Sequence, residues 1–118
     1  MSNMYQISYD LIDSENTDND WALKELIQEL KDDVAAFGFV RPVATTLRFQ
    51  SKFDRFAIYD SVKKWAGRVG VYWMTSWIPE SNTKGRYCYQ DAADGSLQKR
   101  VDEIIAEIAK DAEQNKDA

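Results

Sequence analysis

Close to its start the chain carries the stretch MYQISYDL, residues 4–11. Its odd-numbered residues are aromatic or aliphatic, while most of its even-numbered residues are polar. Successive side chains of a strand point to opposite faces, so this alternation predicts a strand with one packed face and one largely polar face. Asp10 comes at the C-terminal end of this strand, just before an acidic loop.

Four further segments have clear periodicity. Apolar residues at helical spacing predict a first helix over residues 20–37, ended by Gly38, and a last helix over residues 96–112. Alternation predicts a second strand over residues 43–50, with Pro42 at its entrance, and an aromatic strand over residues 69–78. Bulk on both faces of the aromatic strand predicts that it is central or that one face meets a partner.

Two segments are less regular. Residues 51–68 fit a helical stripe, with Ser51 and Asp54 in a capping-box-like arrangement, and we favour a helix there. The alternative is a short strand over residues 55–59 followed by a short helix. Residues 86–90 predict a fourth strand, and we expect residues 113–118 to form a disordered tail.

The predicted elements describe one α+β domain over residues 1–118. We expect a ferredoxin-like sandwich, in which a small four-stranded sheet carries helices on one face and an extra helix follows at the C-terminus. A small, mostly parallel α/β sheet is the second choice.

The composition excludes several kinds of chemistry. The chain has no histidine, which removes histidine bases, histidine metal ligands and Ser-His or Cys-His nucleophile pairs. Cys88 is the only cysteine, which fits a reducing compartment and an inert thiol. Any catalysis must use carboxylates or other oxygen and nitrogen groups, with magnesium as the natural helper ion. No signal-peptide pattern or membrane-spanning apolar run is present, so we expect a cytoplasmic protein without membrane contact.

Charge is unevenly distributed along the chain. Acids dominate residues 10–33, and bases dominate residues 41–70. The basic block contains Arg48, Lys52, Arg55, Lys63, Lys64 and Arg68. Its interleaved aromatic residues Phe53, Phe56 and Trp65 suggest nucleic-acid binding through phosphate contacts and stacking. The competing interpretation is that Lys63 and Lys64 only solvate their helix or pair with the acidic helix.

The stretch with Tyr9-Asp10, together with Thr45-Thr46-Leu47, resembles the small CRISPR-adaptation nucleases and the VapD-like toxins. The resemblance covers about the first 50 residues. It implies a ferredoxin-like fold and a homodimer in which Asp10 faces its symmetry mate and holds a divalent metal against a phosphodiester. The chain departs from that pattern by lacking a clear second hairpin strand and by having an extra C-terminal helix.

Three functions follow as hypotheses, and the residues leave open whether the chain is an enzyme. The first is a dimeric, magnesium-dependent endonuclease acting on RNA or DNA, with Asp10 as catalytic residue and metal ligand. Its nucleic-acid contacts would be Ser8, Arg48, Lys52 and Arg55. The second is a non-catalytic module, such as an antagonist or accessory protein of a mobile element, that binds a protein partner through its acidic first helix. The third is a small-molecule binder that uses the aromatic residues around Trp73.

Overall fold

The computed structural model describes residues 3–11, 19–78 and 95–116. Within these residues the elements are β1 (Asn3–Leu11), α1 (Asn19–Val34), β2 (Phe37–Val43), β3 (Thr46–Ser51), α2 (Arg55–Val69), β4 (Val71–Ile78) and α3 (Ser96–Lys116). The predicted strand over residues 86–90 and the acidic loop before α1 lie outside the described residues. None of the described helices is both long enough and apolar enough to span a bilayer.

The strands form one antiparallel sheet in the order β2-β3-β1-β4. β1 lies in the middle, paired with β3 on one side and β4 on the other. Two β-α-β connections, β1-α1-β2 and β3-α2-β4, interlock in this order, which is the ferredoxin-like arrangement. The predicted fold class, including the extra C-terminal helix, is therefore confirmed, and the mostly parallel alternative is wrong. Among the described strands β4 lies at an edge rather than in the centre.

The core lies between one face of the sheet and the helices. Tyr5, Ile7 and Tyr9 of β1 are buried there, as the alternation predicted, with the apolar stripes of all three helices. Trp65 of α2 is fully buried, and its indole N–H donates to the Ala22 carbonyl oxygen of α1 at 3.1 Å. Burial of these large side chains supplies most of the favourable free energy of folding in a domain of this size.

The first helix ends earlier than predicted. It stops at Val34, because Ala35 takes a positive φ of 49° and leaves the helical path. Phe37 belongs to β2 and is exposed, and Gly38 is not the helix terminator. Gly38 has a φ of 66°, and the β2–β3 register shifts around it, as in a β-bulge that uses a left-handed glycine.

The predicted second strand is in fact the second arm of a hairpin. Residues 37–43 form β2, and β3 begins at Thr46 after a two-residue turn. A second register shift lies between Val40 and Val43, where Pro42 is accommodated. Buried Arg41 stabilises the turn, since its Nη2 donates to the Ala44 carbonyl oxygen at 3.0 Å. The hairpin strand missing from the predicted pattern is therefore present.

The ambiguous segment forms helix α2, which settles the choice between helix and strand. Its N-cap is Asp54, whose carboxylate accepts a hydrogen bond from the Ala57 amide at 3.0 Å. Ser51 is not part of a capping box. It lies at the end of β3, fully buried, and its hydroxyl donates to the Val34 carbonyl oxygen at 2.6 Å. Gly70, with a φ of 83°, ends the helix and allows the chain to turn into β4.

The last helix packs beside the edge strand β2. Gln98 pairs with the β2 backbone: its Nε2 donates to the Phe39 carbonyl oxygen at 3.1 Å, and its Oε1 accepts from the Arg41 amide at 3.3 Å. The side-chain amide thus occupies backbone groups that an exposed edge would offer to another strand. α3 continues to Lys116, so residues 113–116 are helical where a disordered tail was expected.

Candidate nucleic-acid interface

The face of the sheet opposite the helices, called here the open sheet face, is mostly polar along its centre. It carries the even-numbered residues of β1 and their cross-strand neighbours. Three rows cross it: Gln50, Met4 and Ile78; Arg48, Gln6 and Ser76; Thr46, Ser8 and Met74. Ile78, at the end of the first row, is buried. Asp10 and Tyr72 form a further pair at the end where β1 leaves the sheet. The largely polar strand face predicted from the sequence is this surface.

Asp10 is exposed at the C-terminal end of the central strand. Within the described residues its carboxylate forms no hydrogen bond or ion pair, so it does not act as a helix cap or a turn-stabilising group there. Its cross-strand neighbour Tyr72 is 67% exposed, and the nearby Met74 is 63% exposed. The carboxylate is therefore accessible to a ligand or to a second chain.

Arg48 and Ser8 lie on the same open sheet face as Asp10. Arg48 donates to the Gln6 side-chain oxygen from Nη2 at 2.7 Å and from Nε at 3.3 Å, which fixes the guanidinium against the sheet. The Ser8 and Thr46 hydroxyl oxygens are 3.2 Å apart and share a hydrogen bond. Arg48 pairs with Gln6, four residues before Asp10, which places it roughly 13 Å along the strand from the carboxylate. That spacing suits two contacts on one extended backbone.

Lys52 and Arg55 lie at the opposite end of the molecule from Asp10. Both are exposed and follow the C-terminus of β3, which pairs with Asn3 at the start of β1. The distance along β1 from Asn3 to Asp10 is roughly 23 Å. The basic residues predicted for nucleic-acid contact are therefore divided between two regions.

Two other residues of the basic block, Lys64 and Arg68, are engaged with the acidic helix. Lys64 Nζ is 2.9 Å from an Asp33 carboxylate oxygen, and Arg68 Nη1 is 3.0 Å from Glu25. Hydrogen bonds from Lys64 and Ser61 hold the pKa of Asp33 below its ordinary value. The competing interpretation of Lys64, pairing with the acidic helix, is therefore confirmed, while Lys63 is exposed.

Two other predictions concern this region. Trp65, proposed as a stacking residue of the basic block, is 0% exposed and cannot contact a nucleic acid. Glu25 and Glu29 of the acidic helix already pair with Arg68, and Glu29 also with Lys64. A protein partner bound through this helix would have to compete with those internal ion pairs.

A metal ion would need ligands from more than one chain or from its substrate. Within the described residues no group of three or more Asp, Glu or Cys side chains is close enough together to hold a metal. Mg²⁺ is commonly held by one or two carboxylates together with water and phosphate oxygens. Asp10 fits that donor set only as one carboxylate of a shared site.

Sequence reasoning missed a second surface, on the helix side of the sheet. Tyr5, Arg55, Phe56, Tyr59 and Thr75 line a cavity of about 380 Å³. These residues come from three separate elements. The only sequence pattern that indicated the cavity was the pair of aromatic residues Phe56 and Tyr59, which are one turn apart. The buried face of the same helix contains Ile58 and Val62. That pair interrupts the expected polar surface of an amphipathic helix.

Comparison of the chain with models of protein families, with curated proteins and with solved structures returned no match.

Proposed function

We propose that this protein is a dimeric, metal-dependent phosphodiesterase that acts on a nucleic acid across the open sheet face. The observation that carries the proposal is the placement of Asp10, exposed and without a partner among the described residues, at the end of the central strand. A carboxylate that is accessible in this way can bind a metal ion without breaking another contact.

A second copy of the chain completes the donor set. Exposed side chains surround the polar centre of the open sheet face, with Tyr72 and Met74 on β4 and Phe37 and Val43 on β2. Large apolar side chains of this kind are typical of the surfaces that proteins cover on association. A two-fold axis near the Asp10 end would bring the two carboxylates together.

The residues of the open sheet face have separate roles in this proposal. A divalent ion between the Asp10 carboxylates would stabilise charge on the scissile phosphate and lower the pKa of bound water. Arg48, held flat by Gln6, contacts a neighbouring phosphate, and Ser8 offers a hydroxyl to the backbone between them. Ion pairing keeps Lys64 and Arg68 on the helix side out of the interface.

The experiment compares cleavage of single-stranded and duplex RNA and DNA by the wild type, Asp10→Asn and Asp60→Asn in Mn²⁺ or Mg²⁺. Asp60 is an exposed acid on α2, away from the open sheet face, and its variant is the control. We expect Asp10→Asn to lose cleavage while keeping its circular dichroism spectrum, and Asp60→Asn to keep both. Equal cleavage by Asp10→Asn, or no cleavage of any substrate by the wild type, would contradict the proposal.

Metal stoichiometry tests the shared site separately. Titration with Mn²⁺, followed by electron paramagnetic resonance, should give one tightly bound ion for every two chains, because each chain supplies one carboxylate. Sedimentation should show a dimer, and Tyr72→Arg on the open sheet face should shift it toward monomer and abolish tight Mn²⁺ binding. A monomeric wild type, or one ion for each chain, would exclude the shared site.

A further inference from the structure

The cavity lined by Tyr5, Arg55, Phe56, Tyr59 and Thr75, called here the α2–β4 pocket, has a buried polar group with no partner. Thr75 points to the helix side of β4, and its Oγ1 atom is fully buried without a hydrogen bond in the described part of the chain. Unpaired buried hydroxyls are rare and costly, and a ligand that supplies the missing partner removes the cost. Thr75 is one of the residues that line the cavity.

Aromatic rings frame the pocket. Phe56 is 65% exposed and Tyr59 is 48% exposed, one turn apart on α2, so both rings are free to contact a flat ligand. Tyr59 is itself supported by Trp73, with ring centroids 5.2 Å apart. This arrangement holds the Tyr59 ring in place, as a stacking platform requires.

A cation lies at the rim. The Arg55 guanidinium carbon is 5.0 Å from the Phe56 ring centroid, and Arg55 forms no ion pair within the described residues. It differs in this from Lys64 and Arg68 on the same helix, whose charges are used by α1. Its charge is therefore available to an anionic ligand.

A second, more polar cavity of about 240 Å³ adjoins the pocket and shares Tyr5, Arg55 and Phe56 with it. Asn3 and Asp54 complete its lining. Asp54 uses Oδ1 to cap α2, and its other carboxylate oxygen makes no hydrogen bond among the described residues. A carboxylate and an amide that line the same cavity suit the hydroxyl groups of a sugar.

We propose that the α2–β4 pocket binds a nucleotide. The base stacks on Phe56 and Tyr59 with a ring-edge atom hydrogen-bonded to the Thr75 hydroxyl, the sugar lies against Asp54, and the phosphate lies at Arg55. A ligand with an all-carbon ring would give the Thr75 hydroxyl no hydrogen-bond partner, and an uncharged ligand would form no ion pair with Arg55. The nucleotide is either free in solution or the unpaired end of a strand, and the same chemistry recognises both.

Calorimetric titration with AMP, GMP, CMP, UMP, adenosine and a 5′-phosphorylated oligonucleotide tests this. The wild type should bind at least one of the mononucleotides. Phe56→Ala should weaken that binding about tenfold through lost stacking. Arg55→Gln should weaken nucleotide binding about tenfold but leave adenosine unchanged, because only the nucleotide carries phosphate. Binding of the oligonucleotide more tightly than AMP assigns the pocket to strand ends, and the reverse assigns it to free nucleotides.

Thr75→Val separates a ligand-binding role from a structural one. Valine keeps the shape and removes the unpaired hydroxyl, so the free protein should unfold at higher urea concentration while nucleotide binding weakens about fivefold. Phe53→Ala and Lys63→Gln are matched controls, because both residues are exposed near α2 and neither lines the pocket. Both controls should bind as the wild type does.

The outcome is independent of the proposed phosphodiesterase. Asp10→Asn should leave nucleotide binding at this pocket unchanged, whatever it does to cleavage. Failure of the wild type to bind every mononucleotide and the oligonucleotide at millimolar concentration would overturn the pocket proposal. Unchanged affinity in both Phe56→Ala and Thr75→Val would overturn it as well, since binding would then occur elsewhere.

Discussion

Replacing Tyr9 by phenylalanine should stabilise the protein, and more so at high pH. Tyr9 is 4% exposed, and its ring packs edge-on against Trp65 with centroids 5.2 Å apart. Its hydroxyl is buried without a hydrogen-bond partner in the described part of the chain. An unpaired buried hydroxyl costs about 1–3 kcal/mol, so its removal should raise the free energy of unfolding by about 1 kcal/mol at neutral pH.

The alkaline effect follows from the tyrosine pKa. Burial, opposed by the Arg41 charge, raises the pKa of Tyr9 from 10.0 to about 12. A group whose pKa is raised in the folded state stabilises the fold below its unfolded pKa, and that stability is lost as pH rises through the folded pKa. At about 1.36 kcal/mol for each pH unit, the whole shift corresponds to about 2.7 kcal/mol, of which the wild type should lose about 2 kcal/mol between pH 10 and pH 12 and Tyr9→Phe none.

The measurement is urea unfolding of the wild type, Tyr9→Phe and Tyr72→Phe across that pH range. Tyr72 is 67% exposed and serves as the control, since its side chain lies largely in solvent rather than in the core. All other ionisable groups are shared by the wild type and Tyr9→Phe, so the difference between the two proteins isolates Tyr9. A difference that stays constant from pH 9 to pH 12 would refute the reasoning.

Two further changes test how the helices are joined to the sheet. Ser51→Ala should lower the free energy of unfolding by about 2–4 kcal/mol, because the hydroxyl donates to Val34 and accepts from the Phe53 amide at 3.1 Å, and both backbone groups would lose their partner. Chemical denaturation measures this, and a loss below about 1 kcal/mol would contradict it. Asp33→Asn should lower the free energy of unfolding at neutral pH, because Lys64 lowers the pKa of Asp33 in the folded state. The difference in free energy of unfolding between the wild type and this variant should shrink as the pH falls below 3.8, the ordinary pKa of the carboxyl group. Urea unfolding of both proteins at a series of acidic pH values measures this. Curves of unfolding free energy against pH that run parallel for the two proteins would contradict the dependence on Asp33 ionisation.

Much of the fold could be predicted because long periodic segments carry their own signal. The buried face of β1, the apolar stripe of α1 and the start of α3 at Ser96 all follow from spacing that each segment has by itself. β2 could not be found in this way. Its sequence FGFVRPV contains two register shifts against β3, and the extra residue at each shift moves the following side chains to the other face and breaks the alternation.

The candidate site residues also differ in whether their role depends on local sequence or on distant contacts. Asp10 could be selected from the sequence because its position at a strand end is local, and the structure places it exposed on the open sheet face. The availability of a basic residue is not local. Arg55 and Arg68 belong to one helix, yet Arg68 is paired with Glu25 from another helix, while Arg55 has no such partner among the described residues.

Unbroken hydrophobic periodicity is enough to predict which segments become helices and strands, and hence the layered α+β architecture. Contacts between distant segments set which charges are neutralised, which hydroxyls are left unpaired, and where the cavity beside Tyr5, Phe56 and Thr75 forms. The physical reason is that periodicity is a property of neighbours in the chain, while ion pairing, desolvation and cavity shape depend on residues brought together across the fold.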